Sequence, residues 1–230
     1  MNKSIIKKLP ALLAILVVAG GVQTFTSCSS DDEGGGGGGS NCNADFGTVT
    51  IGTQIWAAKN LNCDVKGSKC YADDPANCEK YGRLYGWSTA MALPSSCDSV
   101  SCSSQIQSPH RGICPSGWHI PENAEWNVLA NYAGGSSTAG AKLKATSGWD
   151  SYGDIENLDT YGFSALPGGH YYNSDGRFSG IGGNGFWWTA SQNAVFSYNA
   201  YYRGMSNSSD DASWNYEDKP SLLSVRCVKD

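Results

Sequence analysis

The sequence predicts an α+β domain that is rich in loops and held together by disulfide bonds. Glycine occurs 29 times and cysteine nine times among 230 residues. Two helix patterns stand among many short strand patterns that are separated by turn residues, which predicts two main helices and short, irregular antiparallel strands. The nine cysteines favour an oxidising compartment over the cytosol. The net charge is −5 and charged residues make up only 16% of the chain, so no basic face can neutralise phosphates and we expect no nucleic-acid partner.

The N-terminus predicts an export signal. Lys3, Lys7 and Lys8 precede an apolar stretch that is too short to span a bilayer and is typical of a signal peptide. The stretch ends at Cys28, directly after a small residue. This ending resembles the lipobox of bacterial lipoproteins, in which the cysteine is lipidated. We therefore predict a lipoprotein signal peptide over residues 1–27, with a plain secretory signal as the alternative.

A tether and a single domain are predicted for the rest of the chain. Residues 28–40 combine acidic residues with the run Gly34–Gly39, which cannot bury apolar surface and is typical of a flexible linker. Serines followed by acids just after a lipidated cysteine resemble the surface-export signal of lipoproteins in some Gram-negative phyla. We expect an outer-membrane lipoprotein that faces the cell exterior and is held to the membrane by its lipid. Residues 41–230 show no repeat and no second linker, which predicts one domain.

The cysteines of the domain predict a disulfide framework. Eight of the nine cysteines remain when Cys28 is set aside, and an even number in an exported chain indicates up to four disulfides. Local spacing favours the pairs Cys70–Cys78 and Cys97–Cys102. For the remaining four cysteines we predict the pairs Cys42–Cys63 and Cys114–Cys227. A zinc site is the alternative, but its usual C-x2-C spacing is missing from the sequence.

Local patterns predict the first elements of the domain. Thr48–Ile51 and Gln54–Ala57 flank a Gly-Thr pair, which is typical of a hairpin. Gly82–Tyr85 has the pattern of a strand that leads into a short helix over Trp87–Leu93.

The clearest helix pattern follows Pro121. Asn123 is the expected cap, and a glycine pair stops the pattern. Apolar residues fall on one helix face at Trp126, Leu129, Ala130 and Ala133. From residue 162 onward, turn residues separate short strands, with a turn at Asn173–Gly176 and strands predicted at Phe186–Thr189, Phe196–Tyr202 and Leu222–Val228.

Six groups of residues carry a family resemblance. In chain order they are Gln54–Leu61, Cys70–Tyr71 with Cys78–Tyr85, Gly112–Pro121 with Glu125–Trp126, Gly162–Gly169, Phe186–Ser191 and Ser224–Lys229. In this order the chain closely resembles the Fibrobacter succinogenes major paralogous domain family, over roughly Thr48 to Asp230. The Trp-His-Ile-Pro and Val-Arg-Cys-Val strings also resemble, more distantly, the formylglycine-generating, sulfatase-modifying domains. That second group implies a variant of the C-type lectin-like fold.

The resemblance implies a location more than an activity. Members of the first family are often lipoproteins of a cellulose-degrading rumen bacterium and its relatives, and they offer no established enzymatic activity to carry over. The resemblance thus implies a cell-surface protein, with plant-cell-wall polysaccharide as the leading ligand. The enzymes of the second group oxidise a substrate cysteine with two cysteines of their own. Because all eight domain cysteines are predicted to form disulfides, we expect no such activity.

Three motifs could carry chemistry but have simpler interpretations. Gly180–Gly185 satisfies G-x-G-x-x-G, yet a strand-like pattern follows it in place of a helix, so we interpret it as a flexible loop and expect no nucleotide. His119 lies inside a family string and is interpreted as structural. Glu122 and Glu125 are one helical turn apart, which favours partners of the helix dipole over a pair of glycosidase carboxylates. We predict no catalytic residue and no cofactor.

Acidic residues around Trp214 are weak calcium candidates. The four residues concerned are Asp210, Asp211, Glu217 and Asp218. Their oxygens suit Ca²⁺, but the Trp-Asn-Asp string of lectin calcium sites is broken here by Tyr216. A solvated acidic loop is therefore the favoured interpretation.

Aromatic residues are the most informative feature for function. Sugar rings have apolar faces that stack on Trp and Tyr, and nearby polar groups bond the hydroxyls. The candidate ligand-binding residues lie on predicted loops or edges: Trp149, Tyr152, Tyr171, Tyr172, Asn173, Tyr201, Tyr202, Trp214 and Tyr216. Core packing is the alternative, and we expect it for Trp56, Trp87, Trp118, Trp126 and one of Trp187 and Trp188. We expect a non-catalytic module that binds carbohydrate; the alternatives are a structural or protein-interaction module and a glycoside hydrolase.

Overall fold

The computed structural model describes residues 46–230. The predicted signal peptide, Cys28 and the tether lie outside the described residues, as does Cys42. In the described part of the chain, no helix is both long and apolar enough to cross a membrane.

The described residues form an α+β fold with four α-helices and nine strands. The helices are α1 (Pro75–Tyr81), α2 (Trp87–Ala90), α3 (Asn123–Tyr132) and α4 (Ser136–Leu143). The strands are β1 (Thr48–Ile51), β2 (Gln54–Ala57), β3 (Trp118–His119), β4 (Gly168–Tyr172), β5 (Arg177–Ile181), β6 (Asn184–Gln192), β7 (Asn199–Ser206), β8 (Ala212–Asp218) and β9 (Val228–Lys229). The expectation of two main helices is therefore corrected to four. Helices α1 and α4 were missed because they are only seven and eight residues long, and because the buried face of α4 consists of the small residues Ala139 and Gly140 with Leu143.

A four-stranded sheet joins the two ends of the domain, in the order β1-β2-β9-β3. The predicted hairpin is confirmed: Thr48 pairs with Ala57 and Ile51 with Gln54, around Gly52 at a φ of 60°. Strand β9, close to the C-terminus, lies between the hairpin and β3, because Val228 pairs with both Trp56 and His119.

A five-stranded sheet has the order β5-β4-β6-β7-β8. Strands β6, β7 and β8 form an antiparallel meander, whereas β4 and β6 pair in parallel. The expectation that all strands pair antiparallel is thus wrong for β4 and β6. Gly180–Gly185 forms the end of β5, a tight turn and the start of β6, so the loop interpretation is corrected to a strand connection, and no helix follows the motif.

Strand β6 runs between two hydrophobic cores. Consecutive side chains on a strand point to opposite faces, and accordingly Trp187 belongs to one core and Trp188 to the other. Both indoles are fully buried, although we expected only one of them in the core. In the core that contains Trp187, Trp56 and Trp126 contact each other with ring centroids 4.8 Å apart.

The domain is cross-linked as the cysteine spacing predicts. The described residues contain the disulfides Cys70–Cys78, Cys97–Cys102 and Cys114–Cys227. Cys63 is also disulfide-bonded, and its predicted partner Cys42 lies outside the described residues.

Four cations are buried among the described residues, a feature that the sequence analysis missed. They are Lys144, Arg203, Lys219 and Arg226. Each donates hydrogen bonds to backbone carbonyls or to side-chain amides rather than to carboxylates. Burial lowers the pKa of Lys219 to about 8 and that of Arg226 to about 9. These cations replace loop-to-loop contacts that a larger apolar core would supply.

The N-terminus of α3 corrects one predicted cap. Glu122, not Asn123, occupies the N-cap position, and Glu125 lies at the third helical position in a capping box. The Glu125 carboxylate accepts a hydrogen bond from the Glu122 N–H at 2.8 Å. Its other oxygen lies 2.9 Å from His119 Nε2, while His119 Nδ1 lies 2.7 Å from an Asp230 carboxylate oxygen. Both glutamates thus serve the helix terminus, in agreement with the dipole interpretation.

His119 is expected to make stability fall as pH rises. Burial lowers its pKa, but the hydrogen bonds and charges of Glu125 and Asp230 outweigh burial and raise the pKa above 6.5. The protonated ring therefore stabilises the folded state fully below the unfolded pKa, and this stabilisation is lost as pH rises through the folded pKa. Urea unfolding at a series of pH values should show this decline in the wild type and a flatter profile in His119→Gln. Equal slopes in the two proteins would contradict the assignment.

Candidate functional site

Five aromatic side chains, four exposed and one half-buried, form a continuous surface at the edge of the five-stranded sheet. We call this surface the aromatic ridge; it consists of Phe196, Tyr198, Tyr201, Trp214 and Tyr216. Ring centroids are 5.7 Å apart for Tyr201 and Trp214, and 5.8 Å apart for Phe196 and Tyr216. Phe196 also lies 6.1 Å from Tyr198. Tyr201 and Tyr216, whose ring centroids are 6.5 Å apart, join these two groups of rings, so the five side chains can act as one surface.

Strand register explains why these rings meet. Tyr201 on β7 pairs with Tyr216 on β8, and Arg203 pairs with Trp214. Because alternate residues of a strand share a face, Tyr201, Trp214 and Tyr216 lie on the same side of the sheet. Strand β8 is an edge strand, and its side chains from 213 to 216 are exposed.

The loop between β6 and β7 presents the other two rings. The Asn193 Oδ1 accepts hydrogen bonds from the N–H groups of Val195 and Phe196 at 2.9 and 3.0 Å. This local turn leaves Phe196 directed outward. The Lys219 N–H donates to the Tyr198 carbonyl at 3.0 Å, which ties the end of the loop to the residue that follows β8.

The exposure of the ridge distinguishes it from core packing. Phe196, Tyr198, Trp214 and Tyr216 are each between 39% and 56% exposed, whereas large aromatic side chains in the cores are almost completely buried. A contiguous exposed aromatic surface on a folded domain marks an interaction site. Hydroxyl groups from three tyrosines and the indole N–H give this surface hydrogen-bonding groups beside its apolar faces.

A polar groove of about 460 Å³ borders the same loop. We define the polar groove by the side chains that matter here: Ser101, Ser103, Gln107, Glu122, Asn193 and Ser197. Ser197 lies between two members of the ridge in the chain, so the groove and the ridge share the segment 193–198. The volume is within the range of small-molecule sites.

Lys219 holds the walls of the polar groove together from below. Its buried Nζ donates to the carbonyls of Cys97 and Ser197 at 2.8 and 2.6 Å, and to the Gln192 Oε1 at 2.8 Å. A fourth donation reaches the Val100 carbonyl at 3.2 Å. Lys219 therefore links the 97–102 loop, the end of β6 and the 193–198 segment.

The 97–102 loop is fixed by further contacts. The Cys97–Cys102 disulfide closes it, the Cys102 N–H donates to the Gln192 Oε1 at 3.0 Å, and the Gln192 Nε2 donates to the Ser101 Oγ at 2.7 Å. Side-chain walls held in this way are preorganised for a ligand.

Three of the nine ligand-binding candidates, Tyr201, Trp214 and Tyr216, belong to the ridge. Asn173 lies close to it, because it lines a small cleft together with Tyr198 and Asp218. The candidates therefore converge only in part.

Tyr202, Tyr172 and Tyr171 lie apart from the ridge. Tyr202 points to the opposite face of β7 and contacts Phe186 at 5.3 Å. Burial, aided by the nearby charges of Glu217 and Tyr172, raises the pKa of Tyr202. Tyr172 packs edge-on against His170 at 4.0 Å, and Tyr171 packs on Phe178 at 5.0 Å. These three rings therefore belong to surfaces other than the one that contains Trp214.

The last two candidates come from the loop after α4. The Trp149 Nε1 donates to the Ala165 carbonyl at 2.9 Å, and its ring packs against the core that contains Trp187. Tyr152 is 58% exposed, and among the described residues it contacts no other aromatic ring. Tyr152 therefore provides an exposed aromatic side chain outside the ridge.

The four calcium candidates do not form one cluster. Asp210 and Asp211 precede β8, while Glu217 and Asp218 end it. A seven-residue strand separates the pairs by about 20 Å. Within residues 46–230, no group of three or more His, Cys, Asp or Glu side chains is arranged to hold a metal ion.

A family model described as the Fibrobacter succinogenes major domain matches residues 49–229. The chain belongs to this family. No curated protein and no solved structure matches the chain. The family match confirms the first of the two resemblances, the one to the Fibrobacter family, and its range includes the whole ridge and the whole polar groove.

Sequence reasoning missed two features of this Fibrobacter succinogenes major domain. Phe196 was assigned to a strand, although Asn193 three residues earlier is the typical start of a turn. The polar groove has no sequence motif, because its walls come from three segments that are distant in the chain. The spacing of Trp214 and Tyr216, two residues apart on a strand, was the available signal for the ridge.

Proposed function

We propose that this protein is a non-catalytic, cell-surface lipoprotein that binds polysaccharide through the aromatic ridge. The observation that carries the proposal is the continuous aromatic ridge, in which the half-buried Tyr201 joins four exposed rings: Phe196, Tyr198, Trp214 and Tyr216. Flat aromatic rings stack on the C–H faces of sugars, and neighbouring polar groups bond the hydroxyls. Plant-cell-wall polysaccharide is the ligand that the family resemblance suggests.

The N-terminal sequence supports the cellular setting of the proposal. A lipid on Cys28 would anchor the chain in the outer membrane, and residues 28–40 would carry the domain outward from the surface. Many anchored copies convert weak single contacts into tight binding to a polymer. The proposal also keeps the C-type lectin-like architecture as the finer description of the α+β fold, supported by the strings around Trp118 and Val225.

A structural or protein-interaction role is the second candidate. It is favoured by the side chain of Val195, which is exposed beside Phe196 and adds apolar area without a polar group. The tyrosine hydroxyls and the adjoining polar groove favour carbohydrate over this candidate, because a protein-binding patch of this kind has few polar groups at its centre.

Removal of one ridge ring should weaken polysaccharide binding at least about tenfold, equivalent to about 1.4 kcal/mol. We would export the full-length chain to an oxidising periplasm, purify it in detergent, and measure retention on insoluble cellulose and xylan and on a panel of soluble glycans, with and without EDTA. Trp214→Ala and Tyr216→Ala should each lose retention. Tyr152→Ala is the matched control, since it removes an exposed ring outside the ridge and should bind as the wild type does.

Two outcomes would contradict the proposal. Equal retention of Trp214→Ala and Tyr152→Ala on the polysaccharides would show that the ridge is not the binding surface. Absence of retention of the wild type on every glycan would leave the protein-interaction role as the better account.

A further inference from the structure

We infer that the polar groove continues the aromatic ridge as a second part of one site, and that this groove selects neutral over anionic polysaccharide chains. The inference rests on the proposed function and names its substrate class. None of the residues that line the groove was a ligand-binding candidate from the sequence.

Continuity of the two surfaces is the first argument. Asn193 and Ser197 line the groove, and Phe196 and Tyr198 of the ridge lie between and beside them in the same short segment. Phe196 is next to Ser197 in the chain, so a polysaccharide that stacks on Phe196 is only one or two residues away from the groove. A single sugar ring cannot fill both parts, so the site fits a chain of several sugars.

The lining of the groove is suited to hydroxyl groups. Serine hydroxyls both donate and accept hydrogen bonds, and the amides of Gln107 and Asn193 offer both kinds of group as well. Asn193 is only 4% exposed. Its Oδ1 is used by the 193–198 turn, whereas its Nδ2 donates to no group within the described part of the chain. This amide nitrogen is not among the fully buried unpartnered atoms, so a hydroxyl oxygen of a ligand can approach it from the groove and accept its hydrogen bond.

The charge of the groove supplies the selectivity. Glu122 is the one charged residue among the groove's lining residues, all of which the structure describes, and it is acidic. Lys219 is buried beside the groove, and four acceptors within 3.2 Å already occupy the three N–H groups of its ammonium. Asp98 and Asp218 line the adjoining cleft beside Tyr198. A uronate or sulfate group in this site meets carboxylates without an accessible cation, which is an unfavourable arrangement.

The groove also keeps its shape without a ligand. Lys219, Gln192 and the Cys97–Cys102 disulfide hold its walls. A rigid groove loses little conformational entropy on binding, and this favours selectivity by charge and length over adaptation to many ligands.

The test compares xylohexaose with an oligogalacturonate of the same length, by calorimetric titration of the exported full-length protein. We expect at least about tenfold tighter binding of the neutral hexamer at low salt, and a smaller ratio at high salt because ionic screening weakens the repulsion. A length series from xylobiose to xylohexaose should show affinity rising until the chain spans both the ridge and the groove.

Ser103 is an exposed residue that lines the groove, so Ser103→Leu places a bulky side chain in the groove. The matched control is Ser104→Leu, because Ser104 is also exposed but does not line the groove. Ser103→Leu should weaken xylohexaose binding about tenfold and leave xylobiose binding unchanged, while Ser104→Leu alters neither. If Ser103→Leu lowers the melting temperature, Gln107→Leu provides a second test, because it removes the hydrogen-bonding amide of another exposed lining residue with little change in side-chain size and should also weaken xylohexaose binding.

The outcomes separate this inference from the proposed function. Loss of binding in Trp214→Ala with wild-type binding in both Ser103→Leu and Gln107→Leu would overturn the groove and leave the ridge intact. Equal affinity for the neutral and anionic hexamers would overturn the charge selectivity. Absence of binding to every glycan by the wild type would overturn both the inference and the proposed function.

Discussion

Removal of the Cys114–Cys227 disulfide is expected to lower the free energy of unfolding by about 4–5 kcal/mol. The two cysteines are 113 residues apart in sequence, and a cross-link that closes a long loop restricts the unfolded chain the most. Both cysteines are completely or almost completely buried. The bond also holds the segment before β9, whose Val228 pairs with β2 and β3. Loss of the bond should therefore loosen the four-stranded sheet as a whole.

The measurement is urea unfolding of the full-length protein under oxidising conditions, with the double variant Cys114→Ala/Cys227→Ala. The matched control is Cys70→Ala/Cys78→Ala, which opens a loop of only eight residues and should cost about 2–3 kcal/mol. Equal losses in the two double variants would show that loop length does not set the stabilisation. Alanine avoids leaving a lone thiol that could pair wrongly.

Replacement of Arg226 by methionine is expected to lower the free energy of unfolding by about 3 kcal/mol. The guanidinium is buried and donates to the carbonyls of Phe163 and Ala57 at 2.6 and 3.1 Å, and to the Asn60 Oδ1 at 3.0 Å. It also lies over the Phe163 ring at 4.5 Å. Methionine fills much of the space but donates no hydrogen bond, so buried carbonyl oxygens lose their partners. The relief of a buried charge offsets part of this cost.

Arg177→Met is the matched control for this substitution. The Arg177 side chain is 78% exposed and pairs only with Asp175 on the same hairpin. Exposed ion pairs contribute little, so we expect a change within about 0.5 kcal/mol. Urea unfolding of both variants near neutral pH tests the contrast. A loss below about 1 kcal/mol for Arg226→Met would mean that water or a shifted backbone satisfies the carbonyls instead.

Features of the fold that depend on near neighbours in sequence could be predicted. The β1–β2 hairpin follows from a Gly-Thr pair between two alternating segments, and Gly52 adopts the positive φ that the turn requires. The Cys70–Cys78 and Cys97–Cys102 pairs follow from separations of eight and five residues. Helix α3 was predicted from its apolar spacing, although its cap was placed one residue late.

Features that depend on distant segments could not be predicted. Arg226 and Lys219 look like ordinary surface cations in the sequence, because their acceptors are carbonyls up to 169 and 122 residues away. The polar groove likewise combines segments near residues 101, 122 and 193. No local pattern records that such segments meet.

In the candidate site, predictable and unpredictable features occur within one strand. The sequence by itself determined that aromatic residues crowd into β7 and β8, that the chain is rich in cysteine, and that it carries the strings of its family. Only the tertiary structure decided that Tyr201 joins Trp214 on the exposed ridge while Tyr202, its neighbour, packs on Phe186 on the other face. The physical reason is that a shift of one residue in strand register reverses which face a side chain occupies, and register is set by pairing with other strands rather than by the residues themselves.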